Sequence, residues 1–467
     1  MATTTVSIGS NQSIATVTPA SSSGSNPYVL TFTASVSANA AVGDIFVIED
    51  EVSFMATYTY LLTGISGSDY TLKQVYDGGS GMGDQSPYGN FMVYDDSFNP
   101  VQAAGTFKRA FSTITIFEQM IDDTSDLYWG SSDDVVGECH ADSAFTDSRV
   151  YFDNKQSLAS VKLTVHEDDR HDGKAGTAGK VVIRPTAGSG HNNAIIDVNI
   201  DNFIMEWIDI DLGSLDAQNT NKAVVLRGTN DDNIIRNNLI HDKGGNPGGT
   251  GPFLIHALTG TSGSGDTLSI LNNIIYSIIE TSNDNAAGML LDAWAGTVNV
   301  YNNTVYNVQS AGGTKIAIGI RAADRSGSTA NVKNNIVAGL VSAASNGERA
   351  YEHGQSNAGG GTLNEAYNLS DDTSATAYDA SGTGSLIDKS LAQIDFVSTV
   401  AGSEDLHLDT DSVCREAGVD LGTTNGVNID IDQVDRDATD LTWDMGADQA
   451  STADADTGNP AFLLLIA

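Results

Sequence analysis

The chain contains 467 residues, with 22 Lys and Arg against 60 Asp and Glu, so its formal charge is −38. This acidic excess argues against a nucleic-acid partner, because phosphate contacts need clustered Lys and Arg. Cys139 and Cys414 are the only cysteines, which excludes a disulfide scaffold and a zinc site built on cysteines. The length indicates either two or three domains or one elongated repetitive domain.

Neither end of the sequence has the pattern of a membrane segment. The N-terminus, MATTTVSIGSNQSIATVTPASSS, lacks the positive charge and the apolar run of a secretory signal. No stretch approaches the roughly 18 apolar residues of a spanning helix, and the run Phe462–Ala467 is much shorter. We therefore expect no membrane partner. Residues 451–467 are predicted to be a C-terminal tail, in which a packed chain end is favoured over a docking or export signal.

Residues 1–105 contain short bursts rich in Val, Ile, Thr, Tyr and Phe, each bounded by Gly, Ser or Asp. The bursts are Tyr28–Val36, Gly43–Asp50, Tyr58–Ile65 and Tyr70–Tyr76. Segments of this kind are typical of strands in a small antiparallel sheet. We predict an N-terminal β module over residues 1–105.

Residues 106–190 are predicted to form a capping helix and the first coils of a longer β region. Thr113–Asp122 has the apolar i, i+3 and i+7 spacing of an amphipathic helix. One short helix ahead of a long β region indicates a lid over its open end, where exposed strand edges would otherwise invite mispairing.

A repeat begins near residue 191, and we assign residues 191–450 to it. Four segments can be superimposed: IIRNNLIHD, ILNNIIYSI, VYNNTVYNV and VKNNIVAGL. Their second asparagines are separated by 35, 30 and 32 residues, and a weaker copy, VNIDNFIMEW, places one more asparagine 36 residues earlier. The predicted asparagine ladder is therefore Asn202, Asn238, Asn273, Asn303 and Asn335.

A repeat of this length that holds short strands and no helices predicts an all-β fold, in which each repeat is one coil of a parallel β-helix. Asparagine suits the corners of the coils because it tolerates left-handed backbone geometry. Stacked asparagines can also hydrogen-bond from coil to coil. Leucine-rich repeats have a different consensus, and propeller blades need longer repeats.

The chain resembles the right-handed parallel β-helix, or pectin-lyase-like, superfamily, in particular surface β-helix proteins of phages and bacteria. Leu163–Ile183 (LTVHEDDRHDGKAGTAGKVVI) is similar to an early coil in which a His-x-Gly loop follows a strand. Leu406–Ala447 is similar to the last coil, with an Asp-x-Asp segment at Asp430–Asp437 and DMGA at Asp444–Ala447. Gln433 stands where that pattern usually has glycine. The resemblance implies architecture more than activity, since this fold hosts lyases, hydrolases, adhesins and inert fibres.

Alignment of the second strand of each coil predicts one outward column of polar residues: Arg227, His256, Asp292 and Arg321. Such a column can bind a glycan. In a lyase, Arg or His can abstract a proton while a carboxylate holds a cation. A hydrolase needs two carboxylates, and Asp292 has no carboxylate partner in the column. The competing interpretation, which we favour, is a salt-bridged ladder without activity.

Two further groups are candidate binding residues. Tyr276 and Tyr306 follow the asparagine ladder and are predicted either to stack on each other or to form a platform for a sugar. Asp430, Asp432 and Asp435 are a candidate Ca²⁺ site, because Ca²⁺ takes several carboxylate oxygens. Their spacing does not match an EF-hand, so solvated turn aspartates are the favoured interpretation. No organic cofactor is expected.

The preferred functional hypothesis is a structural protein on the virion surface of a bacteriophage, as a capsid-decorating protein, fibre or tailspike. The N-terminal module would dock to capsid or tail proteins, and the resemblance to fibres leaves a homotrimer and contact with a cell-surface glycan open. The alternative is a secreted or virion-borne polysaccharide lyase or depolymerase, which implies an extracellular location. The negative charge disfavours a polyanionic substrate.

Overall fold

The computed structural model describes residues 2–10, 14–17, 21–23, 28–31, 40–49, 57–77, 92–94, 100–102, 105–122, 129, 132–155, 157–186, 194–215, 222–227, 232–244, 253–258, 266–281, 284–291, 296–322, 327–353, 361–371, 376–437 and 442–450. These residues form a mostly β protein, and the predicted fold class is confirmed.

Ten strands precede the first helix in the described part of the chain: β1 (Thr3–Ile8), β2 (Ala15–Val17), β3 (Ser21–Ser23), β4 (Tyr28–Thr31), β5 (Ile45–Glu49), β6 (Thr57–Ser66), β7 (Asp69–Asp77), β8 (Met92–Tyr94), β9 (Pro100–Gln102) and β10 (Gly105–Lys108). The first helix is α1 (Ile114–Asp122).

The strands of the repetitive region follow: β11 (Asp134–Cys139), β12 (Val150–Phe152), β13 (Ser160–Val165), β14 (Val182–Ile183), β15 (Ile196–Val198), β16 (Phe203–Glu206), β17 (Asp209–Asp211), β18 (Val224–Arg227), β19 (Asn233–Arg236), β20 (Leu239–Gly244), β21 (Phe253–Leu258), β22 (Thr267–Leu271), β23 (Ile274–Glu280), β24 (Ala286–Leu291), β25 (Thr297–Tyr301), β26 (Thr304–Ser310), β27 (Ala317–Ala322), β28 (Thr329–Lys333), β29 (Ile336–Ala338), β30 (Val341–Ser342), β31 (Glu348–His353), β32 (Thr362–Ala366), β33 (Leu369–Asp371) and β34 (Leu386–Lys389). The chain then forms α2 (Leu391–Ile394), β35 (Phe396–Ser398) and β36 (Asp405–Leu408). Single-turn 3₁₀ helices lie at Glu167–Asp169, Gly213–Leu215, Thr376–Tyr378 and Thr424–Gly426.

The N-terminal sheet is antiparallel, with the strand order β2-β10-β5-β6-β7-β4-β3. Its core includes Phe46, Tyr70 and Phe107, whose rings pack 4.8–5.7 Å apart between centroids. Strand β1 departs from the predicted module, because it pairs in parallel with β11 from Thr3 to Ile8. The start of the chain therefore contributes a strand to the repetitive region, and the limits 1–105, 106–190 and 191–450 stay a prediction.

The repetitive region is a parallel β-solenoid with three sheets. One sheet has the order β1-β11-β13-β16-β19-β22-β25-β28-β32, the second runs β12-β15-β18-β21-β24-β27-β31, and the third runs β14-β17-β20-β23-β26-β29-β33-β34 with β30 beside β26. Apolar side chains from all three sheets fill the interior of the coils. A right-handed direction of winding stays a prediction.

Helix α1 packs its apolar face against the first coils. Ile114, Phe117 and Ile121 are fully buried, and the Phe117 ring lies 6.4 Å from that of Phe152 in β12. A side chain at Gly137 in β11 would collide with the Phe117 ring, so glycine permits the close approach of the helix. These contacts agree with the predicted lid.

One buried file of asparagines, the inner file, joins successive coils. Asn273 shows its geometry. Its Oδ1 accepts hydrogen bonds from the backbone N–H (3.0 Å) and the side-chain amide (2.9 Å) of Asn238 in the preceding coil. Its Nδ2 donates to Ile235 O (2.9 Å) and to Asn303 Oδ1 (3.0 Å). The inner file brings together Asn238, Asn273, Asn303, Asn335 and Asn368, of which Asn368 was not predicted.

The prediction for Asn202 requires correction, because this residue lies outside the inner file. Ile204 pairs with Ile234, so Asn202 precedes β16, whereas the inner file follows the strands of this sheet. The backbone N–H of Ile208 donates to Asn238 Oδ1 (3.0 Å), and the coil from Ile208 to Asn238 therefore has 30 residues. The 36-residue spacing compared Asn202, which lies before β16, with Asn238, which lies after β19. These two residues occupy different corners of the solenoid.

We predict that Asn273→Ala lowers the free energy of unfolding by at least about 3 kcal/mol, because it leaves several buried partners without hydrogen bonds and each costs about 1–3 kcal/mol. The urea midpoint measures the loss. Asn364→Ala is the matched control, since Asn364 forms an exposed asparagine contact with Asn331 (2.9 Å) and should change stability by about 0.5 kcal/mol or less. Equal losses in the two variants would contradict the role of the inner file.

Candidate functional site

The predicted outward column is split by the observed strand register. His256 pairs with Leu290, which pairs with Arg321, so His256 and Arg321 do share a column, two coils apart. Arg227 pairs with Leu258 and is therefore displaced by two residues from His256. Asp292 lies outside the described residues. The prediction aligned each strand on its apolar triplet, but strands in neighbouring coils begin at different positions relative to those triplets.

The two arginines of the predicted column are engaged in ion pairs. Arg227 Nη2 lies 3.0 Å from Asp197 Oδ2, and Arg149 Nη2 lies 2.9 Å from the same carboxylate. Arg321 Nε lies 3.8 Å from Glu352 Oε2, and Glu352 also pairs with Arg349. Both carboxylates are buried. This arrangement matches the salt-bridged interpretation and gives the two arginines structural partners.

Tyr276 and Tyr306 are buried rather than displayed. Tyr276 is 2% exposed, and its ring stacks on His241 with 5.1 Å between centroids and 6° between planes. The Tyr306 ring packs edge-on against Phe396, 5.9 Å away. This burial corrects the platform prediction, because a sugar would find neither ring face accessible.

The cover over these tyrosines is the C-terminal segment, residues 391–437 and 442–450. Its buried apolar residues form one cluster with the outward side of the third sheet: Leu239, Ile274, Tyr276, Tyr306, Ile336 and Leu369 from the coils, with Ile394, Phe396, Leu406, Leu408, Ile431 and Met445 from the segment. The segment thus closes a face that would otherwise be apolar and exposed.

A second row of asparagines, the outer row, fastens the C-terminal segment to the solenoid. It consists of the first asparagine of each pair: Asn237, Asn272, Asn302 and Asn334, all with positive φ. Asn237 Nδ2 donates to Asp430 O (2.7 Å), and Asn272 Nδ2 donates to Ile429 O (2.7 Å). Asn334 exchanges two hydrogen bonds with the backbone of Val419.

The three aspartates of the predicted Ca²⁺ site have separate partners. Burial raises the pKa of Asp430 to about 7, and its carboxylate accepts backbone N–H groups from Asp432 (2.9 Å), Val434 (2.7 Å) and Gln449 (2.9 Å). Asp432 instead faces His407 (3.2 Å), and Asp435 accepts from an asparagine side chain. In the described residues these carboxylates do not converge on one point.

Gln433, at the position where the resemblance implies glycine, adopts backbone geometry that favours glycine. Its φ is +66°, in the left-handed region that favours glycine. A residue with a side chain in this conformation carries some backbone strain. The side-chain oxygen of Gln433 accepts a hydrogen bond from Arg170 Nη1 (2.6 Å), which ties the last coil to the early loop.

His241 lies in a buried ion cluster that the sequence did not predict. Its Nε2 is 2.9 Å from Asp209 Oδ1, and its Nδ1 is 2.9 Å from Asp242 Oδ2. Burial lowers the pKa of His241, but hydrogen bonds to both carboxylates outweigh it and raise that pKa to about 10. At neutral pH the His241 ring is therefore an imidazolium bound between two carboxylates, and it cannot accept a proton.

A second histidine cluster joins the C-terminal segment to the early His-Asp-Gly loop. His407 lies between Asp405 and Asp432, and Lys174 Nζ is 2.8 Å from Asp405 Oδ2. Burial lowers the pKa of His407, but hydrogen bonds to the two carboxylates outweigh it and raise that pKa to about 11. Gly173 has φ +75°, and a Cβ there would come within 2.7 Å of the His407 ring. The glycine of the loop thus permits this docking contact.

We predict that the melting temperature falls as the pH rises from 6 to 10. His241 and His407 have folded-state pKa values above the ordinary 6.5, so their stabilisation is complete below pH 6.5 and is lost as pH rises through about 10–11. Burial also raises the pKa of Asp430 and, to about 6, that of Asp448, so the folded state binds more protons than the unfolded chain. Differential scanning calorimetry measures the slope. His241→Gln should flatten it above pH 7, and a melting temperature that rises over this range would contradict the assignment.

No helix in the described residues is long and apolar enough to cross a membrane. Comparisons of the chain with protein families, curated proteins and solved structures gave no match. The assignment of the fold therefore depends on the strand pairing itself, and the relation to pectin-lyase-like and phage proteins stays an expectation from the sequence.

Proposed function

We propose that this protein is a structural component of a bacteriophage surface, in which the N-terminal module attaches to capsid or tail proteins and the β-solenoid is displayed. The observation that carries the proposal is that several charged side chains of the solenoid are already held in ion pairs within the chain. Arg227 and Arg321 are held by buried carboxylates, and His241 and His407 each lie between two aspartates. Such pairing favours rigidity over chemistry.

The junction between the module and the solenoid supports a display role. Strand β1 continues the first sheet of the solenoid, and Arg109 joins the two parts through Asp44 (3.0 Å) and Asp142 (3.0 Å). Arg109 and Asp44 are almost fully buried, so removal of Arg109 would leave the Asp44 carboxylate without its ion-pair partner. A module fixed in this way transmits the orientation of its attachment site to the shaft.

The charge of −38 is also suited to dense display, because copies of the same sign repel one another and remain dispersed. The same charge keeps the surface away from polyanionic glycans. The proposal also includes contact with a neutral cell-surface glycan, a homotrimeric assembly and a position on the head or the tail. Studies of intact particles would test these three parts.

Antibodies against the purified full-length chain should label intact phage particles from a culture that carries the gene. Mass spectrometry of the same gradient-purified particles should detect the chain at a constant ratio to the major capsid protein. Antibody against a cytoplasmic host enzyme is the control for debris. Particles that contain no copy of the chain would overturn the proposal.

A polysaccharide hydrolase or depolymerase is the second candidate, and one cleft favours it. Lys180, Arg184 and Asp209 line a cleft of about 260 Å³ beside the third sheet. Asp209 and Asp211 are two residues apart in β17, so their side chains lie on the same face of the strand and their Cα atoms are roughly 7 Å apart. A hydrolase needs two carboxylates, and a sugar bound here would have to displace His241 from Asp209 (2.9 Å) and Arg184 from Asp211 (2.8 Å).

Release of reducing ends from a panel of neutral and acidic polysaccharides tests the second candidate. If the cleft is catalytic, Asp209→Asn and Asp211→Asn should each reduce the rate at least 100-fold, because each removes one of the two required groups. Asp411→Asn, at an exposed position, is the matched control. No release from any polysaccharide would reject the enzyme and leave the structural role.

A further inference from the structure

A cleft separates the N-terminal module from the first coils. Its volume is about 560 Å³, and its walls include Ala41, Val42 and Ile65 from the module and His140, His166 and Asp169 from the coils. None of these residues takes part in the candidate sites above. The cleft is therefore an independent place to look for a ligand.

The strand register brings the two histidines together. His140 directly follows β11 and His166 directly follows β13, and the last residues of these strands, Cys139 and Val165, pair with each other. The imidazole rings stack with 4.9 Å between centroids and 28° between planes. The His140 backbone N–H donates to Ile8 O (2.9 Å), and the His166 backbone N–H donates to Cys139 O (3.0 Å). Both backbones are thus fixed by the sheet.

Asp169 completes a set of three donors. It ends the short 3₁₀ helix Glu167–Asp169, and its Oδ2 accepts a hydrogen bond from the backbone N–H of Ala141 (3.1 Å). One potential ligand atom from each of His140, His166 and Asp169 lies within 4.8 Å of the other two. His140 Nδ1 and Asp169 Oδ2 are 3.4 Å apart. Two ligands at about 2.0–2.1 Å from a tetrahedral Zn²⁺ ion are separated by about 3.3–3.4 Å, so this distance fits one shared ion.

The two ring nitrogens of His140 have different surroundings. The residue is 3% exposed, and its Nε2 has no hydrogen-bond partner in the described part of the chain. His241 and His407 differ, because both ring nitrogens of each are paired with carboxylates. His171 also uses both nitrogens. Nδ1 is the ring nitrogen that faces Asp169, so His140 would bind an ion through Nδ1 while Nε2, on the other side of the ring, stays buried.

The charges around the cleft favour a cation. Glu138, Asp142, Asp168 and Asp169 line it together with one cation, Arg109, which is neutralised by Asp44 and Asp142. Two imidazoles and one carboxylate suit Zn²⁺ and similar transition-metal ions, whereas Ca²⁺ and Mg²⁺ prefer oxygen ligands. The donors and the charge therefore select the same class of ligand.

We propose that His140, His166 and Asp169 bind one Zn²⁺ ion in the cleft between the N-terminal module and the first coils. Three protein ligands leave coordination positions open toward the cleft. The ion joins two successive coils at the place where the module is attached. Because the ion binds the folded state and not the unfolded chain, its binding stabilises that junction. This inference does not depend on the particle-surface role.

The test uses the full-length chain after treatment with a chelator and dialysis. Isothermal titration with Zn²⁺ should show one ion per chain, and Co²⁺ should give the visible absorption of a site with nitrogen ligands. His140→Gln and His166→Gln should each weaken binding at least tenfold. His353→Gln is the matched control, because His353 is an exposed histidine on the edge of β31 and should leave binding unchanged.

Competition and folding controls make each outcome decisive. An excess of Ca²⁺ should not displace Co²⁺, and saturating Zn²⁺ should raise the melting temperature of the wild-type chain but not that of His166→Gln. Circular dichroism verifies the fold, and His166→Gln, which removes a partly exposed ring, carries the test if His140→Gln does not fold. Absence of stoichiometric binding, equal affinity in folded His166→Gln, or displacement by Ca²⁺ would overturn the proposal.

Discussion

The turn between the first and third sheets of the solenoid must be repeated in every coil, and each repetition leaves backbone N–H and C=O groups inside the protein. Buried backbone groups without partners are costly, so a tight corner of this kind needs a side chain that both donates and accepts. Asparagine does so in the inner file. Asn273 accepts from one coil and donates to the next, and the same arrangement continues to Asn368. The stacking of coils, and hence the position of every outward side chain, depends on this corner.

The outer-row asparagine that precedes each inner-file residue also binds the C-terminal segment at this corner. Its side chain points outward and donates to the backbone of the C-terminal segment, which brings residues near 430 beside residues near 237 and 272. The segment then covers the tyrosines and supplies His407 and Asp432 to the His-Asp-Gly loop. Both asparagines of each Asn-Asn pair are therefore needed, one for the coils and one for the cover. The result is a shaft whose polar groups are mostly satisfied within the chain.

The sequence predicted the fold well because the coil length and the Asn-Asn pairs recur. Such an internal repeat is visible in a single sequence. It predicted Asn238 and its successors, but a spacing of 36 residues placed Asn202 in the same file, since spacing alone does not distinguish two corners of one coil. The outward column failed at Arg227 for a related reason: insertions between strands change the register without changing the apolar pattern. The burial of Tyr306 depends on Phe396, 90 residues away along the chain, and no local pattern reports such a contact.

The sequence did not predict the cluster of His140, His166 and Asp169, because these residues belong to no repeat and no motif. Its two histidines are 26 residues apart, and their common feature is that each follows a β-type burst, DVVGEC or SVKLTV. A search for polar residues at the ends of consecutive strands could have found them once the register was known. The cluster also lies in the first coils, ahead of the Asn-Asn pairs that guided the alignment.

Hydrogen exchange of the full-length chain measures the central claim most directly, since the backbone N–H groups of Asn238, Asn273 and Asn303 are held by inner-file side chains. Mass spectrometry of peptides that span these corners should show exchange only on the timescale of global unfolding, together with protection of the peptide that contains Val419, whose backbone N–H donates to the outer-row residue Asn334. Exchange at the corners as fast as in exposed turns would contradict the claim that the paired asparagines hold the coils and their cover together.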